Sequence, residues 1–171
     1  NYLNLPDKLV TINNGVDINK IIETQPYSKS DIGYSEEDRL LIMVARFTDQ
    51  KDQDTIINSL VLLPERYKLA AKLNVSHRVN FLGQRMDVPK LLKTSDFVIL
   101  SSHYEGLSLS SVEGMVSGKP FIASDVPGLT NVVRNAGLLF EAGNAKQLSE
   151  IILDLDKSED EYENVVKKCL D

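Results

Sequence analysis

Four consecutive apolar residues, Phe97-Val98-Ile99-Leu100, stand between Asp96 and the pair Ser101-Ser102. A run so short and unbroken reads as a strand covered on both faces, since a strand with one wet face alternates. The polar turn His103-Tyr104-Glu105-Gly106 follows, and then Leu109, Val112, Met115 and Val116 recur at helical spacing. The spacing predicts a helix starting near Ser108, with the serines at 108, 110 and 111 placed to cap free backbone N–H groups. Strand, tight turn and helix start in succession mark the carboxyl edge of an open α/β sheet, where ligands bind. A helix start there offers N–H donors and partial positive charge, which suits phosphate.

Two glutamates flank that helix start. Glu105 stands in the turn, and Glu113 falls about one and a half turns inside the helix, so the pair is placed to bracket a ligand lying across the helix end. Without further support, the plainer reading is a loop glutamate and a solvated helix glutamate.

Composition narrows the field. At 171 residues the chain suits one domain with a sizeable core. Its 19 basic and 25 acidic side chains leave a net charge of −6 with no basic block, which argues against nucleic acid or a strongly anionic membrane as partner. No apolar run approaches the ~20 residues of a membrane span. The one cysteine, Cys169, forms no internal disulfide and fits a reducing compartment. With only His77 and His103 beside that thiol, no zinc-ligand spacing exists.

Taken in order, Leu9 to Ile12 reads as a strand and Asn13 to Asp17 as the turn that ends it, with the opening suggesting a piece of a longer protein. Residues 23–38 read as a connecting loop. Leu40 to Ala45 is a buried strand leading through Arg46 and Lys51 into a helix marked by Ile56, Ile57, Leu60, Val61 and Leu63, which stops before Pro64. Arg46 and Lys51 therefore flank a second strand-to-helix junction on the same edge, where cations meet a diphosphate. Tyr67-Lys68-Leu69 begins another strand, and Val79 to Leu82 a further one, yet the residues between supply at most ~9 Å of helix. A parallel crossover takes at least ~10–12 residues, so residues are expected to be missing near Leu69 and Ala70. Beyond this come a turn at 83–86, a short helix around Val88 to Leu92, strands at Phe121 to Ala123 and Gly137 to Phe140, and amphipathic helices at 145–155 and 159–170. The alternation predicts an α/β, doubly wound parallel sheet of Rossmann-like type.

In motif order and spacing the chain resembles the C-terminal, donor-binding domain of a GT-B fold retaining glycosyltransferase, of the group called family 4 or group 1. The resemblance rests on Asn14-Gly15-Val16-Asp17, Arg46 followed by Lys51, Val79 to Gly83 as VNFLG, Glu105 spaced from Glu113, and Gly118-Lys119-Pro120. It implies a hexosyltransferase that needs no metal or other cofactor and uses a nucleoside-diphosphate sugar such as a UDP- or GDP-sugar. Arg46 and Lys51 would hold the diphosphate and stabilise the leaving group. Backbone groups of Gly106, Leu107, Ser108 and Leu109 would meet the distal phosphate, Glu113 the two ribose hydroxyls, Glu105 the donor sugar, and the segment Phe81 to Arg85, with Gly83, the nucleobase. All four charged side chains are expected around one cavity.

The resemblance also implies a saccharide or lipid-linked acceptor held by an N-terminal domain absent from this chain, inactivity of the fragment alone, and a cytoplasmic setting. That setting extends to the inner membrane face, with room for peripheral attachment of the full-length enzyme, in polysaccharide or glycolipid synthesis. Departures from the family pattern are Ser108 for glycine, Ser110 for proline and Asn131 for glutamate. The alternatives are a non-catalytic nucleotide-sugar-binding regulatory module and an unrelated flavodoxin-type domain. His103, Asp125 and Cys169 read as structural, and Asn14 and Asp17 as caps around Gly15.

Overall fold

The computed structural model describes residues 15–70, 78–106 and 108–171. Helix α1 (Ile18–Glu23) opens them, with the Asp17 side chain accepting from the Lys20 N–H at 3.1 Å, the cap expected of it. Strand β1 (Arg39–Ile42) leads through a 3₁₀ turn, Asp49–Lys51, into α2 (Gln53–Val61). Then come β2 (Tyr67–Ala70), β3 (Val79–Asn80), α3 (Val88–Thr94), β4 (Phe97–Leu100), α4 (Leu109–Met115), β5 (Phe121–Ser124), α5 (Thr130–Val133), β6 (Leu138–Phe140), α6 (Ala145–Lys157) and α7 (Glu159–Leu170).

The six strands form one parallel sheet in the order β3-β2-β1-β4-β5-β6. This is the order of dinucleotide-binding folds rather than the flavodoxin order, which disposes of the flavodoxin-type alternative. Every residue of β4 and β5 is buried, as the unbroken apolar runs predict. The helices supply the cover, α2 lying on β2 and α6, α3 on β1, and α4 on β4 and β5. Helix α4 comes closest, because a Cβ on Gly114 would lie 2.6 Å from two ring carbons of the buried Phe121.

The amino ends of the strands are tied by carboxylates. Asp96 accepts from the Leu40 N–H at 2.7 Å and pairs with Lys29 at 2.9 Å, while its carbonyl accepts from the Tyr162 hydroxyl of α7 at 2.7 Å. Asp156 of α6 takes Arg39 at 2.7 Å, and Arg66 and the Tyr67 hydroxyl at 2.6 Å each. Burial works against the Asp156 carboxylate, yet these donors hold it below its ordinary value, and burial together with Asp156 pushes the Tyr67 hydroxyl up to about 12. Arg78, also buried, donates to the carbonyls of Leu63, Pro64 and Tyr67 beside the edge strand β3.

Several elements differ from expectation. Strand β1 stops at Ile42 and β3 at Asn80, so Met43 to Ala45 and Phe81-Leu82 lie outside the sheet. Helices α1 and α5, of six and four residues, show too little periodicity to be read from sequence. The expected strand at Leu9 to Ile12, Asn13 and Asn14 of the turn after it, and residues 71–77 lie outside the described residues. Only residues 71–78 separate the parallel strands β2 and β3, fewer than an ordinary crossover holds.

Gly114→Ala is expected to destabilise the chain by about 1–3 kcal/mol in chemical denaturation, because the added methyl must displace a fully buried ring. An unchanged midpoint would show that α4 can lift from β5.

Candidate active site

The order of the sheet reverses between β1 and β4, and ligands of open α/β sheets bind at the carboxyl edge of that reversal. The loops leaving these two strands carry Lys51 and Glu105. The side chains meet there as an ion pair, 12% and 7% exposed, the Lys51 ammonium donating to Glu105 Oε1. Glu105 Oε1 also accepts from the Ser102 hydroxyl at 2.6 Å.

Both loops are held from several directions. The Ser101 hydroxyl donates to the Asp52 carbonyl at 2.7 Å. The His103 N–H donates to the Gln50 carbonyl at 2.8 Å, and the Gln50 side-chain amide donates to the Tyr104 carbonyl at 2.8 Å. Asp52 turns the chain into α2 with φ 46°, the one positive φ outside glycine among the described residues. Its carboxylate accepts from the Thr55 N–H and, at 2.6 Å, the Thr55 hydroxyl. That left-handed geometry is a local cost, which such bonds offset. On the far side Glu105 donates its N–H to the Pro127 carbonyl, and a Cβ on Gly128 (φ 90°) would lie 2.1 Å from the Glu105 carbonyl oxygen. The 125–128 turn thus packs directly under Glu105.

Arg46 is exposed, and its guanidinium has no partner among the described residues. It borders a cavity of about 670 Å³ walled also by Phe47, Phe81, Gly83, Gln84 and Arg85. Phe47 and Phe81 meet edge to face at 6.0 Å. Arg85 is bound by Asp87 at 2.6 and 2.8 Å and holds that carboxyl well below the usual carboxylate range.

Glu113, on α4, is half-buried, and its carboxylate has no hydrogen-bond partner among the described residues. Burial raises its pKa, against a lowering influence from Lys20. Partial burial disfavours its charged form, and the donors that the protein does not supply come from water or from a ligand.

The expected residues fall into three groups. Lys51 and Glu105 touch; Arg46, Gly83 and Arg85 share the cavity wall; Glu113 stands apart on α4. Of the four charged side chains expected to line one cavity, only Arg46 borders it, because Lys51 and Glu105 turn toward each other. Gly106 is exposed, Ser108 is the N-cap of α4 and Leu109 its first residue, and Leu107 lies outside the described residues. The serine hydroxyls do not cap as expected: Ser108 Oγ meets Ser110 Oγ at 3.0 Å and Ser111 Oγ donates to the Ser108 carbonyl at 2.7 Å. His103 is half-exposed, 3.9 Å from Asp52, and Asp125 accepts from the Thr130 hydroxyl, as structural roles require. Gln50 and the Ser101-Ser102 pair were missed as parts of the site, although two hydroxyls closing a fully apolar strand were their visible signal.

Comparison with known proteins places this geometry. The sequence pattern of the family described as "Glycosyl transferases group 1" matches residues 64–169. An uncharacterised glycosyltransferase of Methanocaldococcus jannaschii is 30% identical over 174 residues, covering 92% of this chain and 46% of its own length. The UDP-Gal:alpha-D-GlcNAc-diphosphoundecaprenol alpha-1,3-galactosyltransferase of Escherichia coli is 26% identical over 189 residues, covering 95% and 48%. The chain thus spans about half the length of the curated relatives it matches. The 189 aligned positions exceed the chain's 171 residues by 18, so that relative holds at least so many residues without a counterpart here. Among solved structures, Anabaena HepE in complex with UDP and glucose superposes with a TM-score of 0.83 at 24% identity, over 93% of this chain and 50% of that one. With the family pattern matched over most of the chain and the GT-B fold reproduced, this protein belongs to the group 1 glycosyltransferases.

Proposed function

We propose that the chain is the donor-binding half of a retaining glycosyltransferase that uses a nucleoside-diphosphate sugar. The observation that carries this reading is the buried Lys51–Glu105 pair at the reversal of the sheet, together with the unpartnered guanidinium of Arg46 in the segment between β1 and α2. Breaking a sugar–phosphate bond leaves negative charge on the diphosphate, and a preorganised cation is most effective where water is excluded. Lys51 supplies such a cation and the exposed guanidinium of Arg46 a second positive charge, so no metal is needed for that charge. Glu105 then faces the sugar, where a carboxylate orients hydroxyls and opposes positive charge at the anomeric carbon. The unbonded Glu113 carboxylate suits a vicinal ribose diol, whose two O–H groups would replace the solvent it lacks. The cavity between Arg46, Phe47 and the 81–85 segment receives the base.

The acceptor, a saccharide or a lipid-linked one, belongs to a second domain, in keeping with relatives about twice as long. The diphosphoundecaprenol-linked substrate in the E. coli relative's name supports polysaccharide or glycolipid assembly on a lipid carrier, a setting this reading places at the cytoplasmic face of a membrane. The residues that relative has in excess belong, in this reading, between β2 and β3, where only residues 71–78 join parallel strands. The half described here binds donor without transferring it, since the reaction needs both walls of the cleft.

A melting screen against UDP-glucose, UDP-galactose, UDP-N-acetylglucosamine and GDP-mannose should raise the unfolding midpoint with at least one of them. Lys51→Ala or Arg46→Ala should then weaken that binding by roughly 10- to 100-fold, the loss of a charged hydrogen bond. Equal binding by both variants would remove the diphosphate role.

Glu113→Gln separates stability from binding. Burial raises the folded-state pKa, so the penalty is absent below the unfolded value of about 4.3 and complete once pH exceeds the raised one. At pH 7 the glutamine variant should therefore melt higher than the parent yet bind the nucleotide sugar more weakly, with the stability gain vanishing below about pH 4. Weaker binding without a gain in stability would mean that Glu113 is not held desolvated in the empty site.

A further inference from the structure

Ser101 and Ser102 are both wholly buried at the carboxyl end of β4. A buried hydroxyl costs free energy unless bonded, and both of these bond the loops that carry the charges. Ser101 Oγ donates to the carbonyls of Asp52 at 2.7 Å and Lys51 at 3.3 Å. Ser102 Oγ donates to Glu105 Oε1 at 2.6 Å, and its own carbonyl accepts from the buried Ser124 hydroxyl of β5 at 2.5 Å. The Ser102 backbone is thereby anchored to the sheet, whereas the ammonium that shares Glu105 Oε1 sits on a four-carbon stem. Oε2 of Glu105 has no partner among the described residues.

A diphosphate arriving at Lys51 competes for its ammonium and draws it away from Glu105. The Ser102 hydroxyl then becomes the contact that keeps the carboxylate aimed. We propose that Ser102 is a positioning residue for Glu105, gripping Oε1 so that Oε2 is presented to a donor-sugar hydroxyl, while Ser101 fixes the Lys51 turn through its carbonyls. This rests on the donor reading of Lys51 and Glu105 given above.

The test is calorimetric titration of the 171-residue chain with UDP-glucose against UDP and with GDP-mannose against GDP. It compares the parent, Ser102→Ala, Ser102→Thr, Glu105→Ala and the Ser102→Ala/Glu105→Ala double variant. Ser102→Ala should weaken the nucleotide sugar on the order of tenfold while leaving the bare nucleotide within about twofold, the loss of one hydrogen bond to a charged group. Ser102→Thr, which keeps the hydroxyl, should restore it. In the Glu105→Ala background, which removes the acceptor, the serine substitution should add nothing further, as expected of two residues acting through one contact. Equal losses for sugar nucleotide and bare nucleotide, additive losses, or no loss at all would overturn the assignment while leaving the donor site standing. Failure of the parent to bind any of the four ligands would withdraw the donor reading and this assignment together.

Discussion

The constraint on which the rest depends is that β4 and β5 are covered on both faces, which leaves no place in the middle of the sheet for a polar side chain. Polar groups are driven to the two rims. At the amino rim, Asp96 and Asp156 collect Lys29, Arg39, Arg66, Tyr67 and Tyr162, joining β1 and β4 to α6 and α7. That rim holds the fold. At the carboxyl rim, Ser101, Ser102 and Ser124 form a tier of hydroxyls beneath the Lys51 and Glu105 loops. In the function proposed above, that rim presents the chemistry.

The charged side chains of the carboxyl rim differ in how far the protein satisfies them. Lys51 and Glu105 satisfy each other, Arg85 is taken by Asp87, and Arg46 and Glu113 are without protein partners among the described residues. A satisfied pair costs little when the site is empty, whereas a desolvated carboxylate with no donor is tolerated where function requires it. The rim is therefore partly self-complementary and partly incomplete. In the function proposed above, a diphosphate with its ribose would supply what is lacking: anionic oxygens for Arg46 and paired hydroxyls for Glu113.

Much of this was legible because burial on both faces writes itself as apolar runs. The runs around Leu40 and Phe97 located β1 and β4, and hence the two junctions bearing Lys51 and Glu105. Short elements were not legible: α1 and α5 have too few residues for a period to emerge, and β3 pairs through two residues where Val79, Phe81 and Leu82 invited a longer strand. Hydroxyl partners were not legible either, because a serine near a helix start competes between its own backbone and its neighbours. Ser108 and Ser110 chose each other. Nor does a sequence reveal that Lys51 turns inward to a carboxylate 54 positions away while Arg46 faces the cavity.

Both borders of the sheet are abbreviated, β3 to two residues and β6 to three, and beside the first Arg78 occupies the carbonyls of Leu63, Pro64 and Tyr67. A foreign strand needs a run of vacant N–H and C=O groups to dock against, and among the described residues neither border offers one of useful length. A parallel sheet assembles slowly, from contacts distant in the chain, and its margins lie open while it does so. Borders this short limit the length over which a second sheet could pair with either one.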